Sequence, residues 1–581
     1  MFCFHDQFRQ ALSLAISEAI KTAFQLDFSW ERAYTLLGAT PSKEAGDIAF
    51  PLFLVAKEAK INPAQAAKTL EASANNFPGF VTKKVAAGPY LNFFFDFSQI
   101  ANSVVPKMID GTFYEQKLTE NMPKTMIEYS QPNTHKELHV GHMRNLCLGD
   151  ALIRLHRYAG FDIIASTFPG DVGTHVAKCL WYMKFHNKGP VPATGKGAWL
   201  GSMYSTAHNK LEEERGTEKE IQNKEQLTII LKQLEQKSGE FYDLWKETRE
   251  WSIELMKEVY AWADVKFDIW YWESEVDSDS VKLARDYYQK GLFIEDKGCI
   301  GVDLEPYKLG FCMLLKTDGN GLYATKDIEL ARRKFQDFHI EKNIYVVDKR
   351  QEHHFKQVFK VLDLMGFENA KKCYHLQYDF VELPDGAMSS RKGNIVPLQR
   401  LIENMVKMIK EQYLARYINE WSAEEIEKTA QIVAKGAIKY GMTRIDPSKK
   451  IVFDMQEWLK LDGESGPYIQ YAYARINSML NKLGAPLSHE LKIETQQEKD
   501  LVATLMNFHQ MVQQATEQYK PSLLTGYLYD LSRAYNGFYA ECPVGSAAEP
   551  IRSSRLMLSK ATALTLKKGL SLLGIEAPDK M

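Results

Sequence analysis

The stretch IEYSQPNTHKELHVGHMRNLCLGD, residues 127–150, contains a change from strand-like to helix-like sequence. Residues 125–129 form a short segment with the character of an extended strand. Apolar residues recur at helical spacing over 142–159. Residues 161–168 are again extended, so strand, helix and strand fit within about 45 residues. This pattern predicts a βαβ unit, the start of a parallel sheet with right-handed crossovers.

Elsewhere the pattern of apolar and charged residues changes from one region of the chain to the next. Residues 343–347, 353–366 and 374–381 predict a further strand, helix and strand of the same sheet. Between about 178 and 315 the sequence changes character, and its charged stretch over 210–257 predicts a solvated, inserted helical pair without a direct role in chemistry. From about residue 400 almost every segment has helical periodicity.

These observations predict an α/β fold: a Rossmann-like parallel-sheet catalytic domain with an inserted helical-rich segment, an N-terminal α+β domain and an all-helical C-terminal domain. The expected boundaries follow the composition. They are 1–115 for the N-terminal domain, 116–405 for the catalytic domain with its insertion at about 178–315, 406–460 for connecting helices and 461–581 for the helical domain.

Charge and cysteine usage exclude several classes of protein. The 581 residues carry a formal net charge of -2, which excludes binding of nucleic acid by bulk positive charge but not by a local basic track. The seven cysteines are scattered singly without a C-x-x-C pair, which argues against a disulfide framework and a structural zinc site. With no long apolar run and no signal-peptide pattern, the sequence predicts a cytoplasmic protein that does not bind membranes.

His139-Val140-Gly141-His142 opens the first predicted helix of the sheet domain. A helix N-terminus has free N–H groups and partial positive charge, so it suits a phosphate. Gly141 would allow close approach of a ribose or base, and two imidazoles three residues apart can both donate to phosphate oxygens. Two histidines at a helix start can also be simple caps, but the first strand-to-helix turn of such a sheet is where ligands bind.

The segment GAMSSRKGN, residues 386–394, has the composition of a loop that closes over a polyphosphate. Its glycines favour mobility, and its serines and cations can neutralise charge on a leaving group. Taken alone, such a loop is more often a solvated turn. The five residues of interest are Met388, Ser389, Ser390, Arg391 and Lys392.

The two segments together resemble the HIGH and KMSKS signatures of the class I aminoacyl-tRNA synthetases. Ser130-Gln131-Pro132-Asn133 with Lys136 resembles the arginyl-tRNA synthetase version. Further resemblances to that family occur in order along the chain: Gly46-Asp47-Ile48-Ala49, Gly88 to Phe93, Gly170 to Thr174, Val346 to His354, Gly466 to Arg475, and the terminal Ala577 to Met581.

The resemblance implies an arginine–tRNA ligase that makes arginyl adenylate from L-arginine and ATP and then charges tRNA(Arg). It implies that His139, Gly141 and His142 bind ATP, with the histidines stabilising the α-phosphate, and that residues 388–392 cover the pyrophosphate. Ser390 stands where the signature has its second lysine. The resemblance makes Lys136 the candidate source of the missing charge, with Arg391 and Lys392 as reserves. Such a replacement is physically reasonable because each of these roles needs only a point charge.

Selection of arginine requires buried carboxylates that face a planar guanidinium. The resemblance assigns this role to Glu128, Tyr323 and Asp327, and assigns the α-amino and carboxylate ends to Asn133 and Gln351. Without the family, Asp327 would be interpreted as a helix-surface acid paired with Arg332 or Lys326.

For tRNA, Tyr90 and Asn92 offer a ring beside an amide on one strand, and Tyr468 and Arg475 combine ring and charge at a helix start. An aromatic residue in an apolar strand is also frequently a core residue. The expected substrates are tRNA(Arg), L-arginine and ATP with Mg2+, with no tightly bound metal, and the expected state is a monomer.

Three alternatives remain at this point. A class I synthetase for another amino acid would keep the ATP signatures but not the set Glu128, Tyr323 and Asp327. A small-molecule adenylyltransferase has no use for a long helical C-terminal domain. A catalytically inactive tRNA-binding relative would be expected to lose the histidines.

Overall fold

The computed structural model describes residues 6–73, 76–115, 117–118, 122–384, 386–387 and 396–581, with backbone only at 386–387. Its N-terminal unit is an antiparallel sheet of order β1-β3-β2 covered by helices. The elements are α1 (Gln7–Phe24), α2 (Trp30–Leu36), β1 (Ile48–Pro51), α3 (Phe53–Ala59), α4 (Pro63–Ala72), β2 (Val81–Ala87), β3 (Tyr90–Phe95) and α5 (Phe97–Asp110).

The next part of the chain forms the catalytic domain and its insertion. Its elements are β4 (Thr125–Glu128), α6 (Val140–Tyr158), β5 (Ile163–Thr167), α7 (Thr174–Phe185), α8 (Lys196–Glu213), α9 (Lys219–Glu235), α10 (Glu240–Trp262), β6 (Ile269–Trp270), α11 (Glu273–Gln289), β7 (Ile294–Asp296), β8 (Cys299–Asp303), β9 (Phe311–Leu315), α12 (Tyr323–Phe338), β10 (Lys342–Asp348), α13 (Glu352–Leu364), β11 (Cys373–Tyr378), β12 (Val381–Leu383) and β13 (Gly386–Ala387).

The predicted parallel sheet is present, with strand order β11-β10-β4-β5-β6 and parallel pairing throughout. The βαβ unit of the sequence argument is β4-α6-β5. Strand β4 lies in the middle of the order, which is the position expected for the first strand of a doubly wound sheet. Its carboxyl end therefore lies among the polar loops that follow the neighbouring strands.

The insertion differs from its prediction. The charged stretch forms three helices, α8 to α10, rather than a helical pair, and a separate antiparallel sheet of order β7-β8-β9 follows. Strand β6 lies within the predicted insertion but pairs with β5, so it belongs to the central sheet. This strand is two residues long, too short to produce a periodic pattern.

The C-terminal part is helical in the described residues apart from one two-residue strand. Its elements are α14 (Leu398–Ile409), α15 (Ala423–Thr443), β14 (Ile451–Val452), α16 (Met455–Leu459), α17 (Gly466–Leu483), α18 (Gln496–Met506), α19 (Phe508–Glu517), α20 (Pro521–Glu541) and α21 (Ile551–Leu572). Strand β14 pairs with β12, which joins this part to the catalytic domain.

Helix α6 connects the hydrophobic cores of the molecule. Its residues Met143, Leu146 and Leu152 pack in the core of the central sheet. Ala151, Leu155 and Ala159, on and just after its C-terminal half, pack in a core shared by the N-terminal unit and helices α17 to α21. The helix is therefore buried on more than one face, as expected when neighbouring domains pack around a single element.

Close packing of α6 on β4 requires a glycine at position 149. A Cβ there would lie 2.1 Å from the ring of the buried Tyr129. We expect Gly149→Ala to destabilise the protein by about 1–3 kcal/mol, because neither helix nor strand can move away without disturbing the sheet. Thermal unfolding of the purified variant would show this as a lower midpoint.

Gly526→Ala is the matched control. It also lies within a long helix, α20, but a Cβ there would meet no atom within 4 Å. The higher helix propensity of alanine should leave its stability unchanged or raise it by about 0.5–1 kcal/mol. Equal destabilisation by both substitutions would contradict the packing argument.

Candidate active site

The candidate site lies at the carboxyl ends of β4 and its neighbours. Glu128 ends β4 and is in register with Tyr345 of β10 and Ser166 of β5. The loops that follow β4 and β5 meet through an isolated bridge between Asn133 and Gly170. This is the edge at which open parallel sheets bind ligands.

The two histidines cap the N-terminus of α6. The Nδ1 atom of His139 accepts a hydrogen bond from the Gly141 N–H (3.1 Å), and Nδ1 of His142 accepts one from the His139 N–H (3.2 Å). The two half-buried rings lie beside each other, with centroids 3.9 Å apart. Capping and ligand binding are therefore compatible, since each cap uses only one of the two ring nitrogens.

These hydrogen bonds determine which nitrogen carries the proton when each imidazole is neutral. Because Nδ1 accepts in each ring, a neutral imidazole must carry its proton on Nε2. Burial, with the nearby charges of Lys136 and Arg350, lowers the pKa of His139 to about 4. Burial and the neighbouring His139 and Lys136 hold the pKa of His142 well below its ordinary value. At neutral pH the turn thus presents two uncharged Nε2–H donors.

The chain that follows the predicted polyphosphate loop is paired with this turn. The Val140 N–H donates to the Val396 carbonyl (3.2 Å), and the Leu398 N–H donates to the Leu138 carbonyl (2.9 Å). On the other flank, β13 pairs with β12. The predicted residues Met388, Ser389, Ser390, Arg391 and Lys392 lie outside the described residues.

Lys136 lies in the same loop as His139, and its ammonium contributes to lowering the pKa of both capping histidines. It is half-buried, and its Nζ lies 5.0 Å from the ring centroid of Tyr204 in the inserted helix α8. The structure therefore places Lys136 near His139 and His142, and the catalytic roles of the three residues stay predictions.

Glu128 forms a buried ion pair that the sequence argument did not include. Its carboxylate accepts from the Nζ of Lys334, a fully buried residue, and from Gln131 Nε2 at 3.3 Å. Lys334 lies seven residues after Asp327, two turns along the same face of α12, and this spacing is the signal that could have identified it. The role of Glu128 in binding arginine stays a prediction.

Tyr323 and Asp327 lie on the first turns of α12, four residues apart as expected. Tyr323 is exposed, whereas Asp327 is half-buried and pairs with His354 Nε2 at 2.5 Å. Burial opposes protonation of His354, but the hydrogen bond and the charge of Asp327 raise its pKa above the ordinary value. The partner of Asp327 is thus a histidine of α13 and not Arg332 or Lys326, the surface partners considered above.

The remaining predicted arginine contacts lie on the loops. Asn133 bridges to Gly170, and the side chain of Asn133 fills the space beside that glycine. Gln351 is exposed in the turn before α13. Both lie in loops that follow strands of the central sheet, β4 for Asn133 and β10 for Gln351, and their roles as ligands stay predictions.

Two buried acids near the site were missed by the sequence argument. Asp171 accepts from Arg249 Nε (2.8 Å) and from Ser274 Oγ (2.7 Å), which ties α10 and α11 to the loop after β5. Glu273 lies beside Gly170, and burial raises its pKa to about 7 despite the nearby Lys326. The hydrogen-bond partners of Asp171 lie 78 and 103 residues away in sequence, so no local sequence pattern could indicate them.

The predicted tRNA contacts on the N-terminal unit differ in accessibility. Tyr90 is 40% exposed and packs edge-on against the exposed Phe53. Asn92 is 3% exposed, and its amide donates to the Ala45 carbonyl at 2.9 Å. The ring is available for stacking, whereas the Asn92 amide supports the neighbouring turn.

The predicted contacts in the helical domain lie on α17. Arg475 is exposed, lies over the ring of Tyr539 at 6.0 Å, and borders an open cavity of about 670 Å3. Tyr468 is half-buried, and its hydroxyl accepts from Asn536 Nδ2 at 2.8 Å. Tyr527 and Tyr535, which could have joined them, are core residues.

The described residues contain no group of three or more His, Cys, Asp or Glu side chains arranged to hold a metal ion. Among the same residues no helix is both long and apolar enough to span a membrane.

Comparison with known families assigns all three parts of the chain. Residues 104–455 match the family described as tRNA synthetases class I (R), catalytic domain. Residues 469–581 match the DALR anticodon binding domain, and residues 9–95 match the arginyl tRNA synthetase N terminal domain. The fold and the histidine-capped turn therefore belong to a class I aminoacyl-tRNA synthetase.

Individual relatives agree over nearly the whole chain. The arginine–tRNA ligase of Bdellovibrio bacteriovorus is 55% identical over 99% of this chain and 100% of its own length, and that of Treponema denticola is 34% identical over 92% of each. The arginyl-tRNA synthetase structure of Thermus thermophilus has a TM-score of 0.77 at 27% identity, with 98% of this chain and all of that chain covered. The chain belongs to the arginyl-tRNA synthetase family, and its activity is that of an arginine–tRNA ligase.

The Glu128–Lys334 pair generates a stability prediction. Glu128→Gln leaves the Lys334 ammonium buried without a charged partner, so we expect it to destabilise the catalytic domain by about 3–5 kcal/mol. Replacing the pair together, Glu128→Gln with Lys334→Met, should cost much less because no charge is left unpaired. Thermal unfolding of both variants tests this, and equal losses would contradict it.

Proposed function

We propose that arginine is activated at the N-terminus of α6, where His139, His142 and Lys136 surround the triphosphate of ATP. The observation that carries this proposal is the pair of Nε2–H donors fixed at a helix start. Neutral donors and a helix N-terminus favour a phosphate that gains charge during reaction, and Lys136 adds the cation that the histidines lack.

In the first step the carboxylate of arginine attacks the α-phosphorus of ATP, the bond to the bridging oxygen breaks, and pyrophosphate leaves. The Nε2–H groups of His139 and His142 donate to the α-phosphate oxygens, whose charge increases in the pentavalent transition state. Lys136, together with Arg391 and Lys392, offsets charge on the departing pyrophosphate. No protein nucleophile is required, since positioning and charge stabilisation suffice.

The arginine side chain enters the space in front of Asp327 and Tyr323. Asp327 accepts from the guanidinium, and the Tyr323 hydroxyl offers a neutral partner on the same helix face. Glu128 contributes negative charge to the same edge of the sheet, in balance with Lys334. Asn133 and Gln351 hold the α-amino and carboxylate ends.

In the second step a hydroxyl of the terminal adenosine of tRNA(Arg) attacks the carbonyl of arginyl adenylate, and AMP leaves. The exposed ring of Tyr90 stacks on a loop base, while Arg475 and Tyr468 contact the anticodon arm. Base stacking tolerates sequence variation and does not need bulk positive charge.

Mg2+ accompanies ATP as a substrate complex, because Mg2+ is normally held by phosphate oxygens and water together with one or two carboxylates. We further propose a monomeric, cytoplasmic enzyme. The cysteines among the described residues are all unpaired, in agreement with a reducing compartment. The proposed extents of the domains are those given by the sequence.

His142 tests the adenylation site. We expect His142→Ala to lower kcat of arginylation by about 10²- to 10³-fold, since a donor aimed at the transition state is lost, while tRNA affinity stays nearly unchanged. The measurements are steady-state charging of tRNA(Arg) and a filter-binding assay for tRNA.

Two further variants serve as controls for His142. His142→Gln retains an N–H near the position of Nε2 and should lose less activity than the alanine variant. His489→Ala, at an exposed position of the helical domain, should charge normally. Full activity of His142→Ala would remove the assignment.

The His354–Asp327 pair predicts that arginine binding depends on pH. Below its raised pKa His354 is cationic and competes with the guanidinium for Asp327, and above it the imidazole is neutral. The KM for arginine should therefore fall as pH rises above about 6.5, the ordinary pKa of histidine. Initial rates of charging at saturating ATP and tRNA measure it.

Other charged groups near this pair define the controls. Glu273, with a pKa of about 7, lies near both Asp327 and Lys326, and His375 lies near His354. Glu273 loses a proton over the same range, which also favours a cationic ligand. We expect His354→Gln to retain only the part of the pH dependence that Glu273→Gln removes. A full wild-type dependence in His354→Gln would contradict the role of His354.

A further inference from the structure

The inserted helices contact the loop that carries Lys136 from two sides. On one side α10 holds His135, whose N–H donates to Ser252 Oγ (2.9 Å) and whose Nε2 is 2.8 Å from Thr248 Oγ1. His135 is fully buried and has a left-handed backbone, with φ at +58°. Such a conformation is unfavourable for a non-glycine residue and persists only where its surroundings enforce it.

On the other side α8 packs directly on the loop backbone. A Cβ at Gly201 would lie 2.7 Å from the Glu137 nitrogen, so the helix approaches as closely as a glycine allows. The same helix packs on α10 at Gly197, where a Cβ would lie 2.6 Å from the Trp251 carbonyl oxygen. Residues 135–137 are therefore enclosed by the insertion and not only by the sheet.

Tyr204 follows Gly201 by three residues and lies on the same side of α8. Its ring centroid is 5.0 Å from Lys136 Nζ, within the range of a cation–π contact. The ring also lies nearly parallel to that of His208, one turn further along the same helix, with centroids 6.4 Å apart and planes inclined by 15°. Helix α8 thus supplies a second contact to the ring.

We propose that Tyr204 is a positioning residue for arginine activation, which holds the Lys136 ammonium on the ATP side of the His139–His142 turn. This inference rests on the proposed function of Lys136. A lysine side chain has four rotatable carbon segments, so an unrestrained ammonium would spend little time beside the leaving pyrophosphate. An aromatic face attracts an ammonium without neutralising its charge, whereas a carboxylate would reduce it.

On this proposal the inserted helices influence catalysis without a direct role in the chemistry, which is compatible with the expectation drawn from the sequence. Their contribution is indirect, because they act through the loop between β4 and α6. The expectation rested on the charged stretch 210–257, which forms the end of α8, all of α9 and most of α10. The residues that contact the loop are instead small, hydroxylic or aromatic.

The test compares Tyr204→Leu and Tyr204→Phe in the wild-type chain and in the Lys136→Ala background. We expect Tyr204→Leu to lower kcat of tRNA(Arg) charging about 5- to 30-fold, in proportion to a lost cation–π contact, with little change in KM for arginine or tRNA. Tyr204→Phe retains the ring and should stay close to wild type. Tyr204→Leu should have no further effect once Lys136 is absent.

The outcomes separate the two proposals. If Lys136→Ala charges at the wild-type rate, the proposed function of Lys136 fails and this inference falls with it. If Lys136→Ala is strongly impaired but Tyr204→Leu is normal, or equally harmful in both backgrounds, only the positioning role is overturned.

A second variant covers the case in which Tyr204→Leu does not fold. Gly201→Ala pushes α8 against Glu137 while it retains the ring, and it too should lower kcat in the wild-type chain but not in Lys136→Ala. Thermal unfolding of every variant identifies those whose loss of activity comes from lost structure. A loss of kcat by Gly201→Ala that persists without Lys136 would overturn the inference.

Discussion

The first turn of α6 uses both imidazoles as acceptors for backbone N–H groups, and the character of the site follows from that arrangement. A helix start normally offers its free N–H groups to an anion directly. Here the N–H groups of His139 and Gly141 are satisfied by Nδ1 atoms, and the rings present Nε2–H groups in their place. With a pKa of about 4 for His139, the turn is a set of neutral donors at neutral pH. Positive charge for the leaving pyrophosphate must then come from other residues, which gives Lys136 and its surroundings their importance.

The acids of the site obey a common constraint: each buried or half-buried carboxylate has a cationic partner from another element. Glu128 of β4 pairs with Lys334 of α12, Asp327 of α12 with His354 of α13, and Asp171 with Arg249 of α10. Burial penalises the charged form of a carboxylate, and it raises the pKa of Glu273 to about 7 although Lys326 Nζ lies 3.8 Å away. The pairs also connect the sheet edge to helices α10, α12 and α13. Under the proposed roles of Glu128 and Asp327, selectivity for a guanidinium and the rigidity of the site would arise from the same contacts.

The sequence predicted those features that depend on residues close together in the chain. The β4-α6-β5 unit, the histidine turn, and the spacing of Tyr323 and Asp327 are all set by periodicity or by residues a few positions apart. The partners of these residues could not be predicted in this way: Lys334 lies 206 residues from Glu128, and Tyr204 reaches Lys136 only because α8 folds back onto the loop. The same limit explains why strand β6 was not predicted, since it is too short to produce a periodic pattern. It also explains why the burial of Asn92 was not predicted, since that burial depends on the turn before β1. Residues 388–392 carry a strong signature, and the structure describes only their flanks.

The near-zero net charge of the protein limits the ways in which it can bind tRNA. Residues 461–581 carry 12 Lys plus Arg against 12 Asp plus Glu, so the helical domain has no net charge to attract a polyanion. Exposed rings with a few placed cations, such as Tyr90 on the N-terminal unit and Arg475 beside Tyr539, must then provide much of the contact, and stacking acts only at short range. Such contacts require surfaces at a fixed separation. The shared core supplies it, because the N-terminal unit, the C-terminal half of α6 and helices α17 to α21 pack together. The 19-residue helix α6 thus begins at the phosphate site and ends in the core that supports both proposed tRNA surfaces.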